Sequence, residues 1–208
     1  MSSPLLTGLL SQIEKLDRFF LVRKDDFSQY TDEDHARALA FTMLASAELE
    51  FFVERRCEQI ASGGIDRFLK GQDTASGRAL LIWHTTRRTD AALLIHESDV
   101  HLARHLCWDA LQAYRSMVKS SHGIDSRDFL KLTYPIGLRE GAVPITLIAS
   151  LETLSDRRNP ASHGHVNRAK SMREPKQERD LVDQILKDLT SVDEALNDVL
   201  SQYPLAAV

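Results

Sequence analysis

Apolar residues recur at steps of three and four along most of the chain, and this helical period constrains the fold more than any other feature. In the N-terminal part the stepping residues are Leu6, Leu9, Ile13, Leu16 and Phe20. In the C-terminal part they are Val182, Ile185, Leu189, Val192, Leu196 and Val199. No run of alternating β-branched residues interrupts the pattern. The sequence therefore predicts an all-α bundle.

Caps and helix-breaking residues divide the chain into elements. After the N-terminal helix, Thr31-Asp32-Glu33-Asp34 predicts a helix start. We expect that helix to end near residue 61 at Gly63-Gly64. Further helices are predicted at 78–88, 97–119, 144–157 and 176–202. Pro135, Gly137 and Gly141 predict an irregular stretch over 124–143.

The last predicted helix carries a heptad-like seam that suits bundle packing or a partner helix. Bundle packing is the expectation, because three heptads make a short independent coiled coil. With 208 residues, the chain fits a single domain.

Charge is distributed unevenly. The net charge is −4, yet residues 157–179 hold seven basic residues against Glu174 and Glu178. This basic island could bind a polyanion or be a solvated loop.

Cys57 and Cys107 form no CxxC pair, which favours a reducing compartment. We see no signal peptide, and the apolar stretch 141–151 is too short to cross a membrane. A cytoplasmic protein is expected.

One segment carries residues suited to chemistry: Asp156-Arg157-Arg158-Asn159-Pro160-Ala161-Ser162-His163-Gly164. An arginine is followed at once by a polar amide and, five positions on, by a histidine. This pattern resembles the ribonuclease motif of the HEPN superfamily, of the RiboL-PSP type, in which Arg and His are separated by four to six residues. The resemblance covers the helical content and the late position of the motif.

The resemblance implies a HEPN-like bundle of four core helices with extra short helices. It implies one domain over 1–208, with 62–143 as an elaboration that carries no family motif. Many such domains also place a polar residue of an early helix near the site, and Glu48 is the candidate here. A helix-surface acid paired with Arg55 or Arg56 is the alternative interpretation of Glu48.

The implied activity is metal-independent cleavage of RNA to 2′,3′-cyclic phosphate and 5′-hydroxyl ends. Histidine titrates near neutral pH, so His163 can act as base or acid. Arg158 can stabilise charge developing on the phosphate, and Asn159 can orient either group. We expect RNA contacts from four further residues: Arg157, His165, Arg168 and Lys170. No cofactor is predicted.

The resemblance also implies partners and a setting. The family motif usually lies at a two-fold interface, which implies a homodimer with a composite active site. The heptad seam or the 144–154 helix would supply its surface. A toxin or anti-phage role is implied, with an antitoxin or other neighbouring gene product as a partner and no membrane association.

Other groups of residues that resemble a catalytic motif or a metal site are weaker candidates. Arg78 and His84 also fit the motif spacing but lack the polar second residue. His96, His101 and His105 have no recognised metal signature, so no metal site is predicted. Trp83 and Trp108 lie in apolar stretches and are interpreted as core residues.

Three functions remain open from the sequence. The first is the ribonuclease. The second is a non-catalytic HEPN-like module that binds RNA or protein as a scaffold. The third is a plain helical dimerisation protein, which would leave the basic island of residues 157–179 without a role. The intact Arg158-Asn159-x3-His163 spacing favours the first.

Overall fold

A computed structural model describes residues 2–87, 99–158 and 174–201, apart from the side chains of Phe27, Asp99 and Val100. Within these ranges the chain forms helices and no strand, so the predicted all-α class is confirmed. The α-helices are α1 (Pro4–Phe20), α2 (Asp32–Leu69), α3 (Ala75–Thr86), α4 (Asp99–Lys119), α5 (Ser126–Thr133), α6 (Ile145–Arg158) and α7 (Pro175–Asp198). No helix in the described part is long and apolar enough to cross a membrane.

The chain divides into two compact units. Unit 1 comprises residues 1–52, 123–127 and 143–193. Unit 2 comprises residues 53–122, 128–142 and 194–208, and so contains most of the stretch 62–143 that carries no family motif. The single domain over 1–208 stays a prediction.

Unit 1 contains α1, the first part of α2, α6 and most of α7. The backbone N–H of Ser3 donates to the Asp193 carboxylate at 2.6 Å, and Arg179 Nη1 lies 3.5 Å from Asp17 Oδ2. The start of α1 therefore lies beside the end of α7, and its last turn lies beside the start of α7. The two helices are antiparallel.

The predicted seam of α7 is part of the core. Its residues Val182, Ile185, Leu189, Val192 and Leu196 are all buried, and so is Val199, one residue beyond the helix. Bundle packing is thereby confirmed, and the seam offers no surface to a partner helix.

Gly63 and Gly64 do not end α2, contrary to the prediction, because α2 continues to Leu69. A Cβ on Gly64 would lie 2.6 Å from Ser76 Oγ and 2.9 Å from the Gly77 backbone nitrogen. The glycine therefore lets α2 and the first turn of α3 approach closely. The helix stops instead before Gly71, whose φ of +77° suits a residue without a side chain.

The expectation that 124–143 is irregular is wrong for its first half. Residues 126–133 form α5, with Phe129 and Leu132 buried one turn apart on the same face. The helix breakers act only after Thr133, where a 3₁₀ turn at Tyr134–Ile136 ends at Gly137 with φ +90°. A second 3₁₀ turn spans Glu140–Ala142.

Trp108 is not a core residue, because it is 60% exposed on α4. Trp83 is half-buried at the end of α3.

Both cysteines are buried free thiols, and burial raises the pKa of Cys57 to about 12.

Candidate functional site

The motif begins at the last residue of α6. Pro144 precedes this helix, and Leu147, Leu151 and Leu154 anchor it in the core of unit 1. Arg158 is its final residue, with 33% of its side chain exposed. The other two predicted catalytic residues, Asn159 and His163, lie outside the described residues.

Arg158 forms an ion pair with an acid of α2. Its Nη1 lies 3.3 Å from Glu50 Oε2, and the Glu50 side chain is 24% exposed. The backbone N–H of Gly123 donates to the other carboxylate oxygen of Glu50 at 2.7 Å. Both oxygens of Glu50 are therefore engaged, and its charge faces the guanidinium from a fixed position.

The acid beside the motif arginine is thus Glu50, whereas the sequence had singled out Glu48. Glu48 lies between Leu44 and Phe52 at helical spacing, which predicts a position bordering an apolar face; Phe52 is buried, but Leu44 is exposed. Glu50 lies four residues after Ser46 and three before Val53, and both of these are buried. Spacing alone does not separate the two acids, because Glu48 likewise lies three residues after the buried Ala45 and four before the buried Phe52.

Arg157 points into a more buried environment than Arg158. Its Nη1 lies 3.1 Å from Glu178 Oε1, and the two side chains are 15% and 7% exposed. Thr42 Oγ1 on α2 donates to Glu178 Oε2 at 2.8 Å. Arg157 also donates to the Gln177 carbonyl at 3.3 Å. This ion pair joins the last turn of α6 to the first turn of α7, the two helix ends that flank residues 159–173.

The basic island of residues 157–179 is partly neutralised by neighbouring acids. Arg179 pairs with Asp183 at 2.9 Å on its own helix and reaches Asp17 of α1 at 3.5 Å. Lys176 is exposed. The predicted RNA-contacting residues His165, Arg168 and Lys170 lie outside the described residues, as does Arg173.

The remaining sequence candidates do not form a second site in the described part of the chain. No group of three His, Cys, Asp or Glu side chains there could hold a metal ion. His101 is exposed, and His105 Nε2 lies 3.5 Å from Asp109 Oδ2 one turn away. His96 falls outside the description. Arg78 and His84, six positions apart on α3, point to different faces of that helix.

The arrangement around Arg158 provides a partly exposed, permanently charged guanidinium at a helix end, next to an acid held by a backbone N–H. Such a group can bind a phosphate bidentately or stabilise charge developing on it. No protein-family model, curated protein or solved structure is similar enough to the chain to count as a match.

Proposed function

We propose that the chain is a metal-independent endoribonuclease of the HEPN type, with Arg158, Asn159 and His163 as its catalytic residues. The observation that carries the proposal is the position of Arg158. It is a partly exposed arginine at the end of α6, and the sequence continues directly into Asn159-Pro160-Ala161-Ser162-His163. A rigid helix thus presents the guanidinium beside the segment that carries the histidine.

The proposed reaction is an intramolecular phosphoryl transfer. The ribose 2′-oxygen attacks the adjacent phosphorus, and its proton passes to a base. The bond from phosphorus to the 5′-oxygen breaks, and that oxygen takes a proton from an acid. His163 serves as base or acid, Arg158 stabilises the charge on the phosphate oxygens, and Asn159 orients the phosphate or histidine. The products are a 2′,3′-cyclic phosphate and a 5′-hydroxyl.

Arg157 takes a supporting role in this proposal. Its ion pair with the buried Glu178 leaves it little surface for RNA, but that pair ties together the helix ends on either side of the motif. The RNA backbone is then contacted mainly by Arg158, His165, Arg168 and Lys170. Their positive charges make binding dependent on salt.

The part of α2 that belongs to unit 1 has an exposed apolar surface that suits binding to a partner. Leu39, Met43, Leu44 and Phe51 are exposed large apolar residues on this helix. An α-helix with apolar residues on its outer face as well as its core face commonly meets another surface. This is consistent with the homodimer that the resemblance implies, and with an antitoxin-type partner in a toxin or anti-phage system.

The same surface favours the second candidate function, a non-catalytic module that binds a protein through α2. In that case Arg158 and Glu50 are a structural pair, and His163 has no role. The two functions differ in a simple way: only the ribonuclease loses its activity on substitution of the motif residues without losing its fold.

The test is incubation of the purified chain with mixed cellular RNA in EDTA. We expect cleavage by the wild type and none by Arg158→Ala or His163→Ala. Arg104→Ala and His105→Ala are matched controls, since both residues are exposed on α4. Equal cleavage by all five proteins, or none by the wild type, would overturn the ribonuclease and favour the binding module.

A further inference from the structure

Unit 2 contains a surface cavity of about 390 Å³, open to solvent, between the end of α3 and the second half of α4. Its lining includes Trp83, His84, Arg87, Ser116, Met117 and Ser120. The volume lies within the range of small-molecule sites, roughly 300–1,000 Å³. Neither Arg158 nor its partner Glu50 lines it, so the cavity needs an explanation of its own.

The Trp83 ring forms the aromatic wall of the cavity and contacts a buried aromatic residue. Trp83 meets Tyr114 edge to face, with ring centroids 6.0 Å apart and planes at 84°. Tyr114 is fully buried, and its hydroxyl donates to the Leu132 carbonyl at 2.6 Å. A core residue therefore fixes the orientation of the Trp83 ring. A flat, preorganised ring at a cavity wall is what stacking of a planar ligand requires.

The charge of the lining is positive. The guanidinium carbon of Arg87 lies 5.2 Å from the Trp83 ring centroid, and Arg87 is exposed. Among the residues that the structure describes, no carboxylate lines the cavity. Ser116 and Ser120 place hydroxyl groups on the α4 side, and His84 also lines the cavity. The lining therefore combines a stacking surface, hydrogen-bonding groups and a cation. That combination suits a planar heterocycle that carries an anion.

We propose that this cavity binds a nucleotide, with its base against Trp83 and its phosphate at Arg87. The ligand is a free mononucleotide or one nucleotide of a single-stranded RNA, since both present the same base and phosphate. The site assigns Trp83 a binding role that the sequence pattern did not predict. It also stands independently of the motif at Arg158, so it does not depend on the ribonuclease being correct.

The test is a fluorescence titration of the full chain with AMP. The chain has two tryptophans, so a Trp108→Phe background leaves Trp83 as the reporter. We expect saturable quenching with a Kd below about 1 mM. Arg87→Gln should weaken AMP binding by about tenfold while changing adenosine binding little, because only AMP carries the phosphate. Ser116→Leu should weaken binding, because it places a larger side chain at the exposed rim of the cavity.

Arg104→Gln is the matched control, since it removes an exposed arginine of α4 that does not line the cavity. It should bind AMP like the parent. A ten-nucleotide adenylate, titrated in a His163→Ala background so that it stays intact, distinguishes the sources: tighter binding than AMP indicates an RNA ligand, and equal or weaker binding indicates a mononucleotide. Absence of saturable quenching by either ligand up to about 5 mM would overturn the proposal. So would unchanged AMP affinity in Arg87→Gln, a surface variant that should fold normally.

Discussion

Arg158 and Glu50 meet at 3.3 Å, although they are 108 positions apart in the chain. The motif arginine is therefore partly neutralised before any phosphate arrives. Because both side chains retain exposure, a bound phosphate can share or replace the carboxylate. The negative charge of Glu50 on α2 should therefore lower the affinity of the proposed site for RNA.

We expect Glu50→Gln to bind RNA more tightly. The amide keeps an acceptor for the Gly123 N–H but removes a negative charge beside Arg158. Affinity should rise by about two- to fivefold at low salt and less at high salt. Binding would be measured in a His163→Ala background, so that RNA stays intact. Glu48→Gln removes the same charge from the same helix and should have the smaller effect. Weaker binding by Glu50→Gln would contradict this account.

The pair between Arg157 and Glu178 should matter more for stability. Both side chains are largely buried, so removing one charge leaves its partner uncompensated. We expect Glu178→Gln to lower the free energy of unfolding by about 3 kcal/mol in urea. Glu14→Gln is the control, because it breaks an exposed pair with Arg18 and should cost under about 1 kcal/mol. Equal losses in the two variants would show that the Arg157 pair is not structural.

Two helical glycines should respond oppositely to alanine. In α1, a Cβ added to Gly8 would have nothing within 4 Å, so Gly8→Ala should stabilise by about 0.5–1 kcal/mol. Gly64→Ala would push against Ser76 and Gly77, and should destabilise by about 1–3 kcal/mol. Thermal and urea unfolding of both variants would measure these effects. A stabilised Gly64→Ala would exclude the close approach of α2 and α3.

Burial of Cys57 predicts a pH dependence of stability. Its pKa is raised from 9.0 to about 12, so the folded state disfavours the thiolate. The stabilising contribution is complete below pH 9 and is lost as the pH rises towards 12. One such proton changes the free energy of unfolding by up to about 1.4 kcal/mol per pH unit. Urea unfolding between about pH 8 and pH 11 should show a smaller decline for Cys57→Ala. An identical decline would contradict the assignment. The pKa of Tyr114 is also raised, mainly by burial, which acts in both proteins, and in part by Cys57, a contribution that Cys57→Ala removes together with that of the thiol.

The helical spacing of apolar residues predicted much of the fold, because the buried positions of the helices follow that spacing. The seam of α7 and the apolar residues of α1 face cores, and their spacing alone indicated helices. The errors arose where a residue type has two uses. Gly64 serves close helix contact within α2 instead of ending the helix, and a sequence does not show which other helix comes near.

The candidate site was predicted only in part, for the same physical reason. The helix predicted over 144–157 agrees closely with α6, which ends one residue later at Arg158. The acid partner of Arg158 did not follow, because choosing between Glu48 and Glu50 requires knowing that the Leu44 side of α2 is exposed. Trp108 was misassigned for a similar reason: an apolar neighbourhood in sequence does not establish burial.

The most direct measurement is the chemistry of the RNA ends after cleavage of a defined RNA in EDTA. The account predicts 2′,3′-cyclic phosphate and 5′-hydroxyl ends with the wild type, no product with His163→Ala, and none when the nucleotide at the cut carries a 2′-deoxyribose. Ends with a 3′-hydroxyl and 5′-phosphate, or unchanged cleavage by His163→Ala, would contradict it.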